Sequence, residues 1–306
     1  MSAIPVSAPP PIETPPIETP FRRFWSEFAE SKLALIGLAM LVVIILIAIF
    51  APFISSQNPY DLGQLDIMDS KLAPGEKSAA GNAHLLGTDD QGRDMLSAIF
   101  YGLRISLGVG IASTVVALAI GLFFGMIAAY VGGWVDTLIM RIVDIQLSFP
   151  AILIALILLA VLGQGVDKII VALITVQWAY YARTVRASAL VEKQKEYIEA
   201  AKVLALSKTR ILFRHMLPNC LPPLIVVATV QVAHAIALES TLSFLGLGLP
   251  ITEPSLGLLI SNGFTYLMSG KYWISFYPGL ALLLTIMSIN LVADQLRDVL
   301  NPRLKR

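Results

Sequence analysis

Residues 199–219 read EAAKVLALSKTRILFRHMLPN, with Glu199, Lys202, Lys208, Arg210, Arg214 and His215 spread along them. The chain around this stretch is oily. Of 306 residues, 56% are hydrophobic and only 14% charged, and the mean hydropathy is +0.75. A soluble domain is roughly 25% charged, and several runs here approach the ~20 apolar residues that cross ~30 Å of hydrocarbon. The composition predicts an all-α polytopic membrane protein, and 199–219 is a charged, helix-prone island within it.

Within the island, Ala200, Val203, Leu204, Leu206, Ile211, Leu212, Phe213, Met216 and Leu217 alternate in blocks with the charged positions. That pattern predicts two short amphipathic helices broken near residues 205–209, with Ser207 or Thr209 capping the second. The apolar face should root the island in the bundle. A basic helix lying on anionic headgroups would show the same periodicity, so the pattern alone does not choose between surface anchoring and docking of a partner.

Six spans are predicted outward from the island, near residues 33–54, 105–130, 142–162, 169–190, 221–241 and 274–293. Lys and Arg accumulate on the cytoplasmic side of membrane proteins. With the N-terminus inside, 16 of the 22 basic residues fall on the inner side and six (Lys71, Lys77, Arg93, Arg104, Lys168 and Lys271) outside. Both termini and the island are therefore expected in the cytoplasm. The expected organisation is a proline-rich tail and basic flank over 1–31, a first span over 32–55, an external polar segment over 56–101, a five-helix membrane domain over 102–296 that holds the island (192–217), and a short tail over 297–306. The tail carries a tandem PPIET repeat, whose composition suits a disordered, partly polyproline segment. About thirty polar and proline-rich residues precede the first apolar run, so that span is expected to stay as an anchor.

Three features of the spans bear on function. Ser113, Ala117, Gly121, Gly125 and Ala129 recur every four residues, which lets helices approach closely in lipid and predicts that the second span sits inside the bundle. Pro150, Pro218, Pro222 and Pro223 remove helix donors and can kink. Glu239 lies in the fifth span, with Gln231 and His234 eight and five residues before it. A carboxylate at helix depth usually faces water or a partner, so these three are read as a polar stripe along a pathway.

The literal residues of the island resemble the EAA signature of the permease subunits of ATP-binding-cassette importers. Glu199, Ala200 and Ala201 open it, Ala205 stands where the signature has Gly, and Arg214, His215, Leu217 and Pro218 close it in RHMLP. The stretches HLLGTDDQGRDMLSAIFYGLRISLGVG (84–110), GGWVDTLIMRIVDIQLSFPAILIAL (132–156), ALESTLSFLGLGLP (237–250) and NLVADQLRDVLNPRLKR (290–306) are similar to the second permease subunit of dipeptide and oligopeptide importers, the peptide/nickel branch. The resemblance implies a type I importer transmembrane fold and an island that docks into one of one or two separate ATPase subunits. It also implies a paralogous permease partner, an external peptide-binding protein, and a place in the bacterial inner membrane. Dipeptides or short peptides are the expected cargo, with a nickel chelate or another small solute as the alternative.

The chain carries no catalytic set of its own. Its sole Gly-Lys pair, Gly270 and Lys271, has Thr265 at the first glycine position of a phosphate loop and Tyr272 after the lysine, so the G-x-x-x-x-G-K-[ST] cradle is missing. ATP and Mg are expected on the partner ATPases, and no cofactor or metal on this chain. A single cysteine, Cys220, allows no internal disulfide. A net charge of +1 gives no global basic field to suggest nucleic acid. Asp89, Asp90 and Asp94 are expected to organise the loop GTDDQGRD. A stand-alone secondary transporter would usually show two repeated halves, and these are not found.

Overall fold

A computed structural model of the chain describes residues 19–79 and 81–300. The PPIET tail and the last six residues lie outside the described residues. Helix α1 (Pro20–Ala29) starts with Pro at a position whose amide would be unpaired anyway, and the Thr19 side chain accepts from the Arg22 amide at 3.4 Å. Its Phe28 is buried against Ala34 and Val292, and Gln295 Nε2 donates to the Glu27 carbonyl at 3.0 Å. The basic flank expected to continue the tail is thus a packed helix. Helix α2 (Lys32–Ile54) follows, capped by Ser31, and its 23 residues span about 34 Å.

Helix α3 (Met95–Val131) is 37 residues long, about 55 Å, and starts ten residues before the expected span. The reason is its cap. Asp94 accepts from the Ser97 amide at 2.9 Å and from Ser97 Oγ at 2.7 Å, while its own amide donates to Gln57 Oε1 at 2.6 Å. A buried polar knot before α3 supports this start. Asp89 accepts from Gln91 and Arg93 amides at 2.9 Å each and from Arg93 Nε at 2.6 Å, and His84 Nδ1 lies 3.0 Å from Asp94. The turns need glycine: Gly92 has φ 76°, and a Cβ there would lie 2.1 Å from the Asp66 carbonyl oxygen. Trp273 Nε1 donates to the Thr88 carbonyl at 3.2 Å and ties the knot to the last helix.

The third expected span is broken. Helices α4 (Gly133–Leu147) and α5 (Ala151–Leu162) meet at 88°. Pro150 lacks an amide and disfavours helical geometry at Phe149, while Ser148 Oγ bonds the Asp144 carbonyl at 2.6 Å and ends α4. Helix α6 (Val166–Lys193) then packs on α3. A Cβ on Gly121 would sit 2.4 Å from Tyr181 Cβ, and one on Gly125 2.6 Å from the Ala182 carbonyl oxygen. All five positions of the small-residue stripe are buried.

The island comprises α7 (Glu196–Val203), the short turn α8 (Lys208–Arg210) and a π-helical turn over Ile211–Met216 that runs directly into α9 (Leu217–Phe244). Pro218 has no amide to return to the Arg214 carbonyl, and the widened turn before it takes up the lost register. Helices α10 (Leu256–Phe264) and α11 (Trp273–Leu300) complete the bundle.

By length and composition, four stretches among the described residues can cross a membrane: Lys32–Ile54, Met95–Val131, Lys208–Phe244 and Trp273–Leu300. The bent α4–α5 pair makes a fifth if it counts as one span. The expected fourth span, α6, has 28 residues, but Gln177, Tyr180, Arg183, Thr184 and Arg186 lower its apolarity. By this measure the expected count of six spans is not confirmed among the described residues.

Candidate functional site

Helix α7 presents Glu199, Ala200 and Lys202 to solvent and buries Ile198 and Ala201. Ile198, Ala201, Ile211 and Met216 join one core with Tyr181, Val185, Cys220 and Leu224, so the island is rooted in the α3–α6–α9 bundle as expected. Full burial of an Ile or Met outside lipid is worth roughly 1.5–3 kcal/mol each, enough to hold so short a helix. Not every apolar position points inward. Val203 is 86% exposed, Leu204 73% and Phe213 61%, so the island carries an apolar knob on the same segment as exposed Glu199, Lys202, Lys208, Arg210 and Arg214.

The knob follows from how α7 ends. The amide of Ala205 donates to the Lys202 carbonyl at 3.0 Å and that of Leu206 to the Ala201 carbonyl at 3.1 Å, the paired bonds of a Schellman stop. Ala205 has φ 52°, the left-handed conformation that favours glycine. Ser207 caps the next turn by accepting from the Arg210 amide at 3.4 Å. The expected second amphipathic helix is only this turn, because its remaining residues belong to the π segment and α9. The chain reversal swings Val203, Leu204 and Phe213 off the rooted face, which helical periodicity across the break could not reveal.

Behind the island, Tyr197 gathers three elements. Its hydroxyl donates to Glu192 Oε2 at the end of α6, Asn219 Nδ2 at the start of α9 donates to the same hydroxyl at 2.9 Å, and the second amide hydrogen of Asn219 reaches the His215 carbonyl at 2.8 Å. Burial, and then the Glu192 carboxylate, push the Tyr197 phenol up to about 12, so it stays a neutral donor at ordinary pH. Sequence reasoning passed over Tyr197, Glu192 and Asn219, whose partners lie five and 22 residues apart.

Glu192 and Asn219 also line a cleft of about 850 Å³ between α6, α9 and α11, with Ser188, Pro222, Pro223, Gln231, Asp294 and Arg297 on its walls. Gln231 lies twelve residues beyond Asn219 on α9, about 18 Å further along the helix. Of the three expected pathway residues, Gln231 lines this cleft, and exposed His234 contacts it, with Nδ1 3.1 Å from Gln231 Oε1. Glu239 does not line the cleft. It is fully buried and accepts from Ser106 Oγ on α3 at 3.1 Å, from Ser240 Oγ at 3.3 Å and from Ser243 Oγ at 2.8 Å. The structure brings Gln231 and His234 together and sets Glu239 apart in a ring of hydroxyls.

The α3–α4 corner beside the island is pinned by charge. Lys193 Nζ donates to the carbonyls of Ala129 and Tyr130 at 3.0 Å each, satisfying the end of α3, and Arg186 Nη2 reaches Asp136 Oδ2 at 2.6 Å. Among the described residues no group of three or more His, Cys, Asp or Glu side chains is placed to hold a metal ion.

Comparison with known proteins bears directly on this architecture. Residues 121–306 match the profile of the binding-protein-dependent transport system inner membrane component, and residues 19–74 that of the N-terminal TM domain of oligopeptide transport permease C. The dipeptide transport system permease protein DppC of Escherichia coli (strain K12) is 41% identical over 98% of this chain and 97% of that protein. The di/tripeptide transport system permease protein DppC of Pseudomonas aeruginosa (strain UCBPP-PA14) is 37% identical over 93% of this chain and 92% of its own length. Among solved structures, an inward facing MetNI methionine ABC transporter superposes with a TM-score of 0.55 at 21% identity, covering 67% of this chain and 97% of that one, which shows a shared fold. With that profile matched over residues 121–306 and a relative 41% identical over 98% of its length, the chain belongs to the family of binding-protein-dependent transport system inner membrane components.

Proposed function

We propose that the chain forms one half of the translocation route of an importer for dipeptides or short peptides, with a paralogous permease as the other half. Separate ATPase subunits, binding ATP and Mg, dock on the island. An external binding protein delivers cargo, and the assembly sits in a bacterial inner membrane with both termini and the island in the cytoplasm. The observation that carries this reading is that α7 of the exposed island is hydrogen-bonded, through Tyr197, to Glu192 and Asn219, which line the 850 Å³ cleft. A device driven from outside the chain needs a handle next to the passage it opens.

In this reading Glu199, Ala200, Ala201, Ala205, Arg214, His215, Leu217 and Pro218 build the handle. Val203, Leu204 and Phe213 enter an apolar pocket of the ATPase while the surrounding charges set register. Gln231, in contact with His234, forms the polar inner end of the cleft, where backbone amides of a peptide can exchange hydrogen bonds. Glu239 braces α9 against α3. The peptide assignment is supported by relatives named for dipeptide and di/tripeptide transport.

The test is reconstitution of this permease with its partner permease and ATPases in vesicles. ATP-dependent uptake of radiolabelled dialanine is expected, and Leu204→Asp should release the ATPase from purified complexes while leaving permease expression at the parental level. Uptake that persists without any ATPase would overturn the reading in favour of a stand-alone carrier.

A further inference from the structure

Glu192 and Asn219 both line the cleft, one at the end of α6 and the other at the start of α9. Among the described residues, the hydrogen bonds between these two ends run through a third residue, Tyr197 of α7, whose hydroxyl donates to Glu192 and accepts from Asn219 at 2.9 Å. One phenolic oxygen on the island therefore holds both helix ends. We propose that the Tyr197 hydroxyl is a positioning group that converts movement of the island into a shift of the α6 and α9 ends that line the cleft.

The argument rests on the difference between two kinds of attachment. Ile198 and Ala201 fasten α7 to the core through apolar contact, which is non-directional and tolerates sliding or rotation. Hydrogen bonds are directional and weaken steeply as their angle departs from linear. Without the hydroxyl, α7 stays seated, yet it can pivot without carrying the ends of α6 and α9 along. With it, a displacement of α7 by a docked partner moves Glu192 and Asn219 together. Asn219 extends the link by donating to the His215 carbonyl at 2.8 Å, inside the π-helical turn that joins the island to α9. That turn lies where a helix with irregular register can absorb a shift.

This inference deepens the proposed function and rests on the island being the ATPase docking element. The experiment uses the complete importer in vesicles and reads three quantities for Tyr197→Phe: ATPase bound per permease, ATP hydrolysed, and radiolabelled dialanine taken up. Parental ATPase binding is expected, with hydrolysis within about twofold of the parent. Uptake per ATP should fall at least about fivefold, the factor that one lost hydrogen bond is worth. Asn219→Ala, which removes the hydroxyl's other partner, should lower the same ratio and covers the case in which the first variant folds poorly. A parental ratio in both variants overturns the proposal. So does loss of ATPase binding in Tyr197→Phe, which would make the residue part of the docking surface. A parental complex that binds no ATPase at the island would instead overturn the reading on which the inference stands.

Discussion

The amide of Leu206 donates to the carbonyl of Ala201 at 3.1 Å, closing α7 across a residue held in the left-handed region. That residue is Ala205, at φ 52°. A left-handed conformation costs an L-residue roughly 1–2 kcal/mol and glycine nothing. Ala205→Gly should therefore stabilise the island locally by about 1 kcal/mol, partly offset by the greater freedom of glycine in the unfolded chain. Hydrogen exchange of the amides over 196–206 should slow about fivefold, and Ala205→Val should speed it. Faster exchange in Ala205→Gly would show that the stop is not strained.

Two glycines of α3 make a matched pair. At Gly121 a Cβ would lie 2.4 Å from Tyr181 Cβ and 2.6 Å from the Trp178 carbonyl oxygen, whereas at Gly108 nothing lies within 4 Å. Gly121→Ala should force α3 and α6 apart and cost about 1–3 kcal/mol. Gly108→Ala should be neutral or gain up to about 1 kcal/mol of helix propensity. Thermal unfolding of the purified protein in detergent separates the two, and equal effects would mean that the α3–α6 contact is looser than the structure shows.

The polar knot before α3 turns on one buried ion pair. Arg93 and Asp89 are both fully buried, with Nε 2.6 Å from Oδ2, and Arg93 Nη1 also donates to the Ile251 carbonyl at 3.2 Å. Removing one partner of such a pair strands a charge and typically costs about 3–5 kcal/mol. Arg93→Met should expose 56–94 to limited proteolysis. Arg93→Met combined with Asp89→Asn should regain part of the lost resistance, because no net charge is then left buried. A single variant as resistant as the parent would remove the pair from the account of this segment.

Asp90 in the same knot predicts a pH dependence. Burial first, and then the neighbouring Asp89 carboxylate, raise its pKa above the usual carboxylate value, and its Oδ1 is buried without a hydrogen-bond partner. The folded state therefore holds a proton more tightly than the unfolded state, so stability rises as pH falls from above the raised value to below the ordinary one. Proteolytic resistance of 56–94 should increase over that window in the parent. Asp90→Asn should be more resistant at neutral pH and lose that increment. The two proteins differ at Asp90 alone, so the difference between them isolates that carboxyl.

How much of this was legible in the sequence depended on the range of the signal. Helix α2 was placed within a residue because apolar length alone sets it, and the four-residue stripe from Ser113 to Ala129 named the face of α3 that meets α6. The literal residues Glu199 to Pro218 located the island. The early start of α3 was hidden because its first ten residues include Arg104 and lie under the polar knot, where hydropathy stops being informative. The 88° break needed Ser148 and Pro150 to act together, and a proline by itself reads only as a possible kink. Tyr197 was invisible for a simpler reason: its partners belong to two other helices.

Glu239 tests the same lesson at the site. Depth in the fifth span suggested a charge on the pathway, but its carboxylate accepts from Ser106, 133 residues earlier in the chain, as well as from Ser240 and Ser243. Spacing along one helix cannot show a partner on another. Glu239→Gln retains an acceptor oxygen, and its amide hydrogens can donate to hydroxyls that rotate to receive them. That variant should keep parental dialanine uptake at equal expression. Glu239→Leu keeps the bulk but leaves buried hydroxyls without their acceptor, at about 1–3 kcal/mol for each group that finds no other, and should lower the unfolding temperature. Gln231→Leu, on the cleft wall, should show the opposite pattern: near-parental stability with a raised KM for dialanine. If instead Glu239→Gln abolishes uptake without loss of stability, the charge itself works in transport, and the hydroxyl ring must open to the pathway during the cycle.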